Sequence, residues 1–93
     1  MSAFPIRVVY RLVDQQPDMA LVQMLVSVPK KHFKRAVKRN LLKRRVREAF
    51  RLNAARLGGR SYDIFIYYIG KQVEEYERID KSLAQVLDDL AAR

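Results

Sequence analysis

Between Lys30 and Arg60 the chain gathers 13 lysines and arginines against a single acid, Glu48. That window carries +12 while the whole chain carries +9, so the residues outside it sum to −3. Lysine and arginine are charged donors at neutral pH and have no proton to exchange in ordinary acid–base work. Their chemistry here is anion binding, and a polyanion is the partner that such a concentration best explains. The other reactive side chains form no comparable group. His32 is the only histidine, and no acid or serine stands at a spacing that would pair with it as base or nucleophile. Glu74, Glu75 and Glu77 cluster ahead of a helical pattern, where a helix N-terminus favours acids without any metal. Neither a catalytic residue nor a metal site follows from these residues.

The cations need an element to position them, and the spacing supplies one. The segment Lys30–Asn53 reads as a helix, which advances about 100° per residue. Leu42, Val46, Ala49 and Phe50 then form an apolar stripe that should face a core. Asn40, Lys43, Arg44, Arg47 and Arg51 form a second stripe, well round from the first, and Lys34, Lys38 and Arg45 make a third edge. Like charges at these spacings repel by a few tenths of a kcal/mol per pair. Neutralisation by phosphates would offset that cost; a solvated face is the plainer reading, although such faces usually mix signs. No Ser, Thr, Asp or Asn sits where an N-cap would, so the start of this helix is poorly marked.

Around the helix the chain reads as strand, strand, helix, strand, helix. Ala3–Val13 is the first strand, with Ile6, Val8, Tyr10 and Leu12 on one face and Arg7, Val9, Arg11 and Val13 on the other. Pro5 suits its start or an edge. A turn over Asp14–Asp18 leads to a second strand, Met19–Val28, and the two are expected to pair as an antiparallel hairpin. Pro29 ends that strand. After the basic helix, Gly58 and Gly59 mark a stop. Ser61–Ile69 is apolar at nearly every position, which predicts a strand buried on both faces. Its Tyr62, Phe65, Tyr67 and Tyr68 invite comparison with an RNA-stacking sheet, but a buried strand explains most of the rings. A last helix spans roughly Tyr76–Ala92 and buries Ile79, Leu83, Val86, Leu87 and Leu90. This order predicts an α+β domain, a sheet covered by helices in two layers.

The 93 residues amount to one small domain, 1–93, with little surplus for a deep catalytic cleft. Absence of cysteine excludes disulfides and thiolate metal ligands and fits a reducing compartment. No apolar run reaches transmembrane length and no signal pattern opens the chain. A cytoplasmic nucleic-acid binder with no membrane partner is the expectation.

The basic segment carries a more specific pattern. Lys30-Lys31, then Arg35-Ala36-Val37-Lys38-Arg39-Asn40, then Lys43-Arg44-x-x-Arg47-Glu48-x-Phe50-Arg51 resembles the signature of the bacterial ribonuclease P protein subunit, where it is called the RNR motif. The position after Asn40, an arginine in that pattern, is Leu41 here. The resemblance implies a two-layer α/β sandwich like the second domain of ribosomal protein S5, in the order β-β-α-β-α, with a left-handed crossover through the basic helix. It implies binding to ribonuclease P RNA through Arg39, Asn40, Lys43, Arg44 and Arg47, supported by Lys30, Lys31, Lys34, Lys38 and Arg51. Members usually begin with a further helix, which this chain is expected to lack; that helix and the sheet flank a cleft for the 5′ leader of precursor tRNA. Tyr10 and Lys31 match residues of that cleft, although Tyr10 also reads as a core residue. The family's later Ala-Arg-Lys-like run survives only as Lys71. By the same resemblance the reaction is removal of the 5′ leader from precursor tRNA, with the RNA subunit supplying the active site and using Mg²⁺. A non-catalytic basic RNA-binding or ribosome-associated protein is the alternative, and a DNA-binding architectural protein ranks third.

Overall fold

In the computed structural model, residues 1–12, 22–58 and 62–93 are described. The elements are β1 (Ser2–Ala3), β2 (Ile6–Leu12), β3 (Val22–Ser27), α1 (Ala36–Asn53), β4 (Tyr62–Tyr68) and α2 (Tyr76–Ala91), with a 3₁₀ turn over Ala54–Leu57. The expected first strand is split. A reversal at Phe4 and Pro5, joined by a cis peptide, folds Ser2–Ala3 back onto β2. The expected turn at Asp14–Asp18 lies outside the described residues.

The four strands form one sheet in the order β1-β2-β4-β3. This corrects the expected hairpin: β2 and β3 do not pair, because β4 lies between them. β4 runs antiparallel to β2, from Ile6 opposite Tyr68 to Leu12 opposite Tyr62, and parallel to β3, from Val22 opposite Tyr62 to Ser27 opposite Tyr67. The sequence gives the reason in retrospect. Tyr62–Tyr68 is the segment densest in aromatic and β-branched residues, and in the centre both of its backbone edges are hydrogen-bonded. A parallel β3–β4 pair then requires a crossover, and α1 supplies it.

Both helices cover one face of this sheet. Ile6, Val8, Tyr62, Ile64, Ile66 and Tyr68 from the strands meet Leu42, Val46, Ala49 and Phe50 of α1 and Ile79, Leu83, Val86, Leu87 and Leu90 of α2 in a single core. The two helical stripes are the ones that 3.6-residue periodicity picks out. The other sheet face is open, which corrects the expectation that β4 is buried on both sides. Phe65 is 39% and Tyr67 42% exposed there, beside Val9 and Leu25. Outward aromatic residues imitate a two-sided buried strand in sequence, because the alternation is between apolar and apolar.

Two polar networks fix the helices and a loop. Asn53, buried at the end of α1, donates from Nδ2 to the Ala49 carbonyl and to Asp80 Oδ1 on α2, each at 2.7 Å. Its Oδ1 accepts from Arg56 Nε at 2.9 Å, and Arg56 reaches Asp88 on α2. At the opposite end, the Tyr68 hydroxyl donates to the Gln72 carbonyl and accepts from the Glu74 amide at 3.0 Å. Gly70 belongs to that turn; a Cβ there would sit 3.1 Å from Pro5 and 3.2 Å from the Tyr68 ring.

Removing the Tyr68 hydroxyl should therefore strand two backbone groups of the loop. Tyr68→Phe is expected to cost about 1–3 kcal/mol, read by urea unfolding at neutral pH. Burial holds the Tyr68 phenol above its ordinary value. That contribution to stability is complete below the unfolded tyrosine value of about 10 and is lost as the pH climbs through the raised one. The alkaline loss should be smaller in Tyr68→Phe than in the native chain.

Candidate nucleic-acid interface

The basic helix begins later than its charge pattern suggests. Lys30–Arg35 precede α1 as a turn, closed by the Phe33 amide on the Pro29 carbonyl at 3.3 Å. Phe33 is buried with its ring edge-on to Tyr68, centroids 5.7 Å apart. This anchor holds the chain out of helical conformation until Arg35, which is extended and offers no side-chain cap. Arg39 takes over the tethering. Its Nη1 donates to the Phe33 carbonyl at 2.7 Å and the Lys34 carbonyl at 2.9 Å, locking the turn to the helix. Lys34 is thus a residue of the turn, not of a helix edge.

With Leu42, Val46 and Ala49 pinned to the core, the opposite side of α1 is set. Asn40, Arg44, Arg47 and Arg51 are exposed and Lys43 is half-buried. Among the described residues Lys43, Arg44 and Arg47 make no ion pair, whereas Arg51 binds Glu48 at 2.6 Å. The Arg51 hydrogen bond holds the Glu48 carboxyl below its ordinary range, and that pair subtracts one cation from the face. Arg45, grouped by angle with Lys38, donates instead to the Glu74 carbonyl at 2.6 Å and braces the loop ahead of α2.

Folding also brings together cations that sequence leaves apart. Lys31, Lys34, Arg35 and Lys38 line one groove with Lys71, which arrives from the loop after β4. No acid lines it, and none of the five makes an ion pair among the described residues. A second groove on the open sheet face is lined by Arg7, Val9, Tyr67 and Ile69, and His32 stands on both grooves. Alternation along the first strand places Arg7 and Val9 on one face, but spacing offered no signal for the first groove, which needs the 30–35 turn beside the loop after β4. The result is a set of donors spread over one helix, one turn and one loop, suited to a chain of phosphates.

A sequence model of the Ribonuclease P family matches residues 2–91. The chain belongs to the Ribonuclease P family. It is 62% identical over 50 residues to the ribonuclease P protein component of Porphyromonas gingivalis, a stretch that makes up 54% of this chain and 36% of that relative. By that match the chain spans little more than a third of the length of its curated relative. Its fold is similar to that of the RNase P protein from Thermotoga maritima, with a TM-score of 0.79, 23% identity and coverage of 96% of this chain and 80% of the other. The Staphylococcus aureus RNase P protein is similar at a TM-score of 0.75 and 23% identity, over 97% of this chain and 78% of that one.

In this ribonuclease P family member the two residues matched to a leader cleft lie in different surroundings. Lys31 is exposed on the cationic groove. Tyr10 is half-buried on the helix-covered side of the sheet, its ring edge-on to Tyr62 at 6.2 Å. Lys30 is exposed on the turn. Arg7 faces the open side, as does Arg11, which pairs with Asp63. Leu41 stands half-buried on the exposed side of α1.

Arg39 has a structural task whatever else its guanidinium meets. Arg39→Ala should lower the melting temperature, by an amount equivalent to about 1–2 kcal/mol, and should speed hydrogen exchange in the first turn of α1. Arg39→Lys should restore part of it, since both carbonyls accept from one nitrogen, Nη1, and an ammonium also offers several donors on one atom.

Proposed function

We propose that this chain is the RNA-binding protein subunit of a ribonuclease P, a ribonucleoprotein endoribonuclease that removes the 5′ leader from precursor tRNA. The observation that carries this reading is the set of donors on the outer side of α1 that make no ion pair among the described residues, opposite the buried core stripe. Arg44, Arg47 and Lys43 bind backbone phosphates of the ribonuclease P RNA, and Asn40, which both donates and accepts, meets a sugar or base edge. Lys38, Arg39, Arg51 and the turn residues Lys30, Lys31 and Lys34 extend the positive track, with Lys71 continuing it. Tyr10 and Lys31 remain assigned to the leader by family likeness alone.

Catalysis belongs to the RNA subunit, where Mg²⁺ would supply the metal chemistry. The protein's part is electrostatic: by neutralising phosphates it lets RNA and precursor tRNA approach at low Mg²⁺. The place of action is the cytoplasm; among the described residues no helix is long and apolar enough to cross a membrane.

Cleavage of precursor tRNA by a bacterial ribonuclease P RNA at low Mg²⁺ should rise when this chain is added. Absence of stimulation together with no preference for that RNA over other RNAs would leave only a general RNA binder. If about five phosphates are engaged, log affinity should fall against log salt with a slope of roughly −3.5 to −4.5. Replacing Lys43, Arg44 and Arg47 with alanine should flatten the slope by about 2 while the far-ultraviolet spectrum stays unchanged.

A further inference from the structure

The solvent-facing pole of α1 is not uniformly charged. Directly opposite the core stripe, at helical spacing, stand Val37, Leu41, Arg44, Glu48 and Arg51. Val37 is 79% exposed and Leu41 half-buried. The two aliphatic side chains lie one turn apart on a shallow groove shared with Asn40, Arg44 and Arg47. Glu48 and Arg51 on the same groove neutralise one another. An aliphatic patch thus sits inside the most cationic segment of the chain, with Arg44 and Arg47 beside it and free of ion pairs among the described residues.

We infer that Val37 and Leu41 form a seat for an unpaired nucleobase of the bound RNA, with Asn40 meeting the base edge and Arg44 and Arg47 holding the flanking phosphates. This inference rests on the proposed RNA-binding role of α1. A phosphate gains nothing from two aliphatic side chains and would lose hydration against them. A partner helix is a poor occupant, because three of the five positions at coiled-coil spacing are charged. A second copy would bring two +12 segments face to face. A nucleobase suits the groove on each count. It has an apolar face and a hydrogen-bonding edge, and it is tethered to phosphates on both sides.

Such a contact adds affinity without adding to the salt dependence, which counts phosphates alone. The test is equilibrium binding of the full chain to a bacterial ribonuclease P RNA across a salt series, with inorganic polyphosphate as a base-free polyanion. Leu41→Ala should weaken RNA binding about tenfold with an unchanged salt slope, and should bind polyphosphate as the native chain does. Leu41→Arg should also bind the RNA more weakly than the native chain at high salt. Unchanged RNA affinity in Leu41→Ala would overturn the seat, as would an equal loss toward polyphosphate. Tighter binding with a steeper slope in Leu41→Arg would show that the position faces a phosphate and would overturn it too. Arg44→Ala with Arg47→Ala separates the two levels. A flattened slope there beside an inert Leu41→Ala defeats the base seat alone, whereas an unchanged slope removes α1 from the interface altogether. Leu41→Ala keeps a good helix former away from the core, so its thermal melting should match the native chain. Leu41→Arg adds a cation one turn from Lys38, Arg44 and Arg45 and should melt slightly lower while still folded at the assay temperature.

Discussion

Burial of a single stripe of α1 governs the rest of this molecule. Leu42, Val46 and Ala49 are inaccessible to solvent, and Phe50 nearly so. Each such side chain gains roughly 1–3 kcal/mol by leaving water, the larger ones most. That gain outweighs the repulsion among neighbouring cations, which amounts to a few tenths of a kcal/mol per pair. Because a helix is rigid, fixing one side fixes the other. The cations need no attraction of their own to be displayed together; they are presented by the packing opposite. Asn53 and Arg56 then secure the helix by its C-terminal end to Asp80 and Asp88 of α2, so the display cannot roll.

The N-terminal end of the same helix is secured differently. No acid or hydroxyl caps it, and an acid there would weaken the positive surface. Phe33 drives into the core while Arg39 reaches back to the carbonyls of the turn. Arg45 and the Tyr68 hydroxyl hold the loop between β4 and α2 in the same region. Two backbone excursions that are distant in sequence are thereby brought side by side, and Lys71 joins Lys31, Lys34, Arg35 and Lys38 around one groove. Cations that serve the scaffold and cations that face solvent are interleaved along the chain. Arg39 and Arg45 belong to the first group by geometry, while Arg44 and Arg47 belong to the second.

Much of this was legible in the residues. The periodic stripes of both helices name the buried apolar residues, though not the buried Asn53 and Ser82, because a 3.6-residue repeat has one solution on a helix. The excess charge in one window, and the mixed pattern from Lys30 to Arg51, pointed to nucleic acid and to the family that the comparisons support. The misreadings have physical causes. Charge that continues upstream extends the helical reading to Lys30, whereas Phe33 is buried against Tyr68 from a turn that precedes α1. β4 reads as buried on both faces because Phe65 and Tyr67 are apolar in sequence, yet both are exposed.

Sequence alone determined which helical residues enter the core, the sign and location of the charge, and the order of the principal elements. These depend on local periodicity and composition, which a one-dimensional chain carries in full. Tertiary structure alone decided that β4 separates β2 from β3, that one sheet face stays open, and that Lys71 stands beside Lys31. Strand neighbours and groove walls are set by competition among non-local pairings. The stretch with the most to gain from two hydrogen-bonded edges takes the centre, and that choice leaves no mark at any single position.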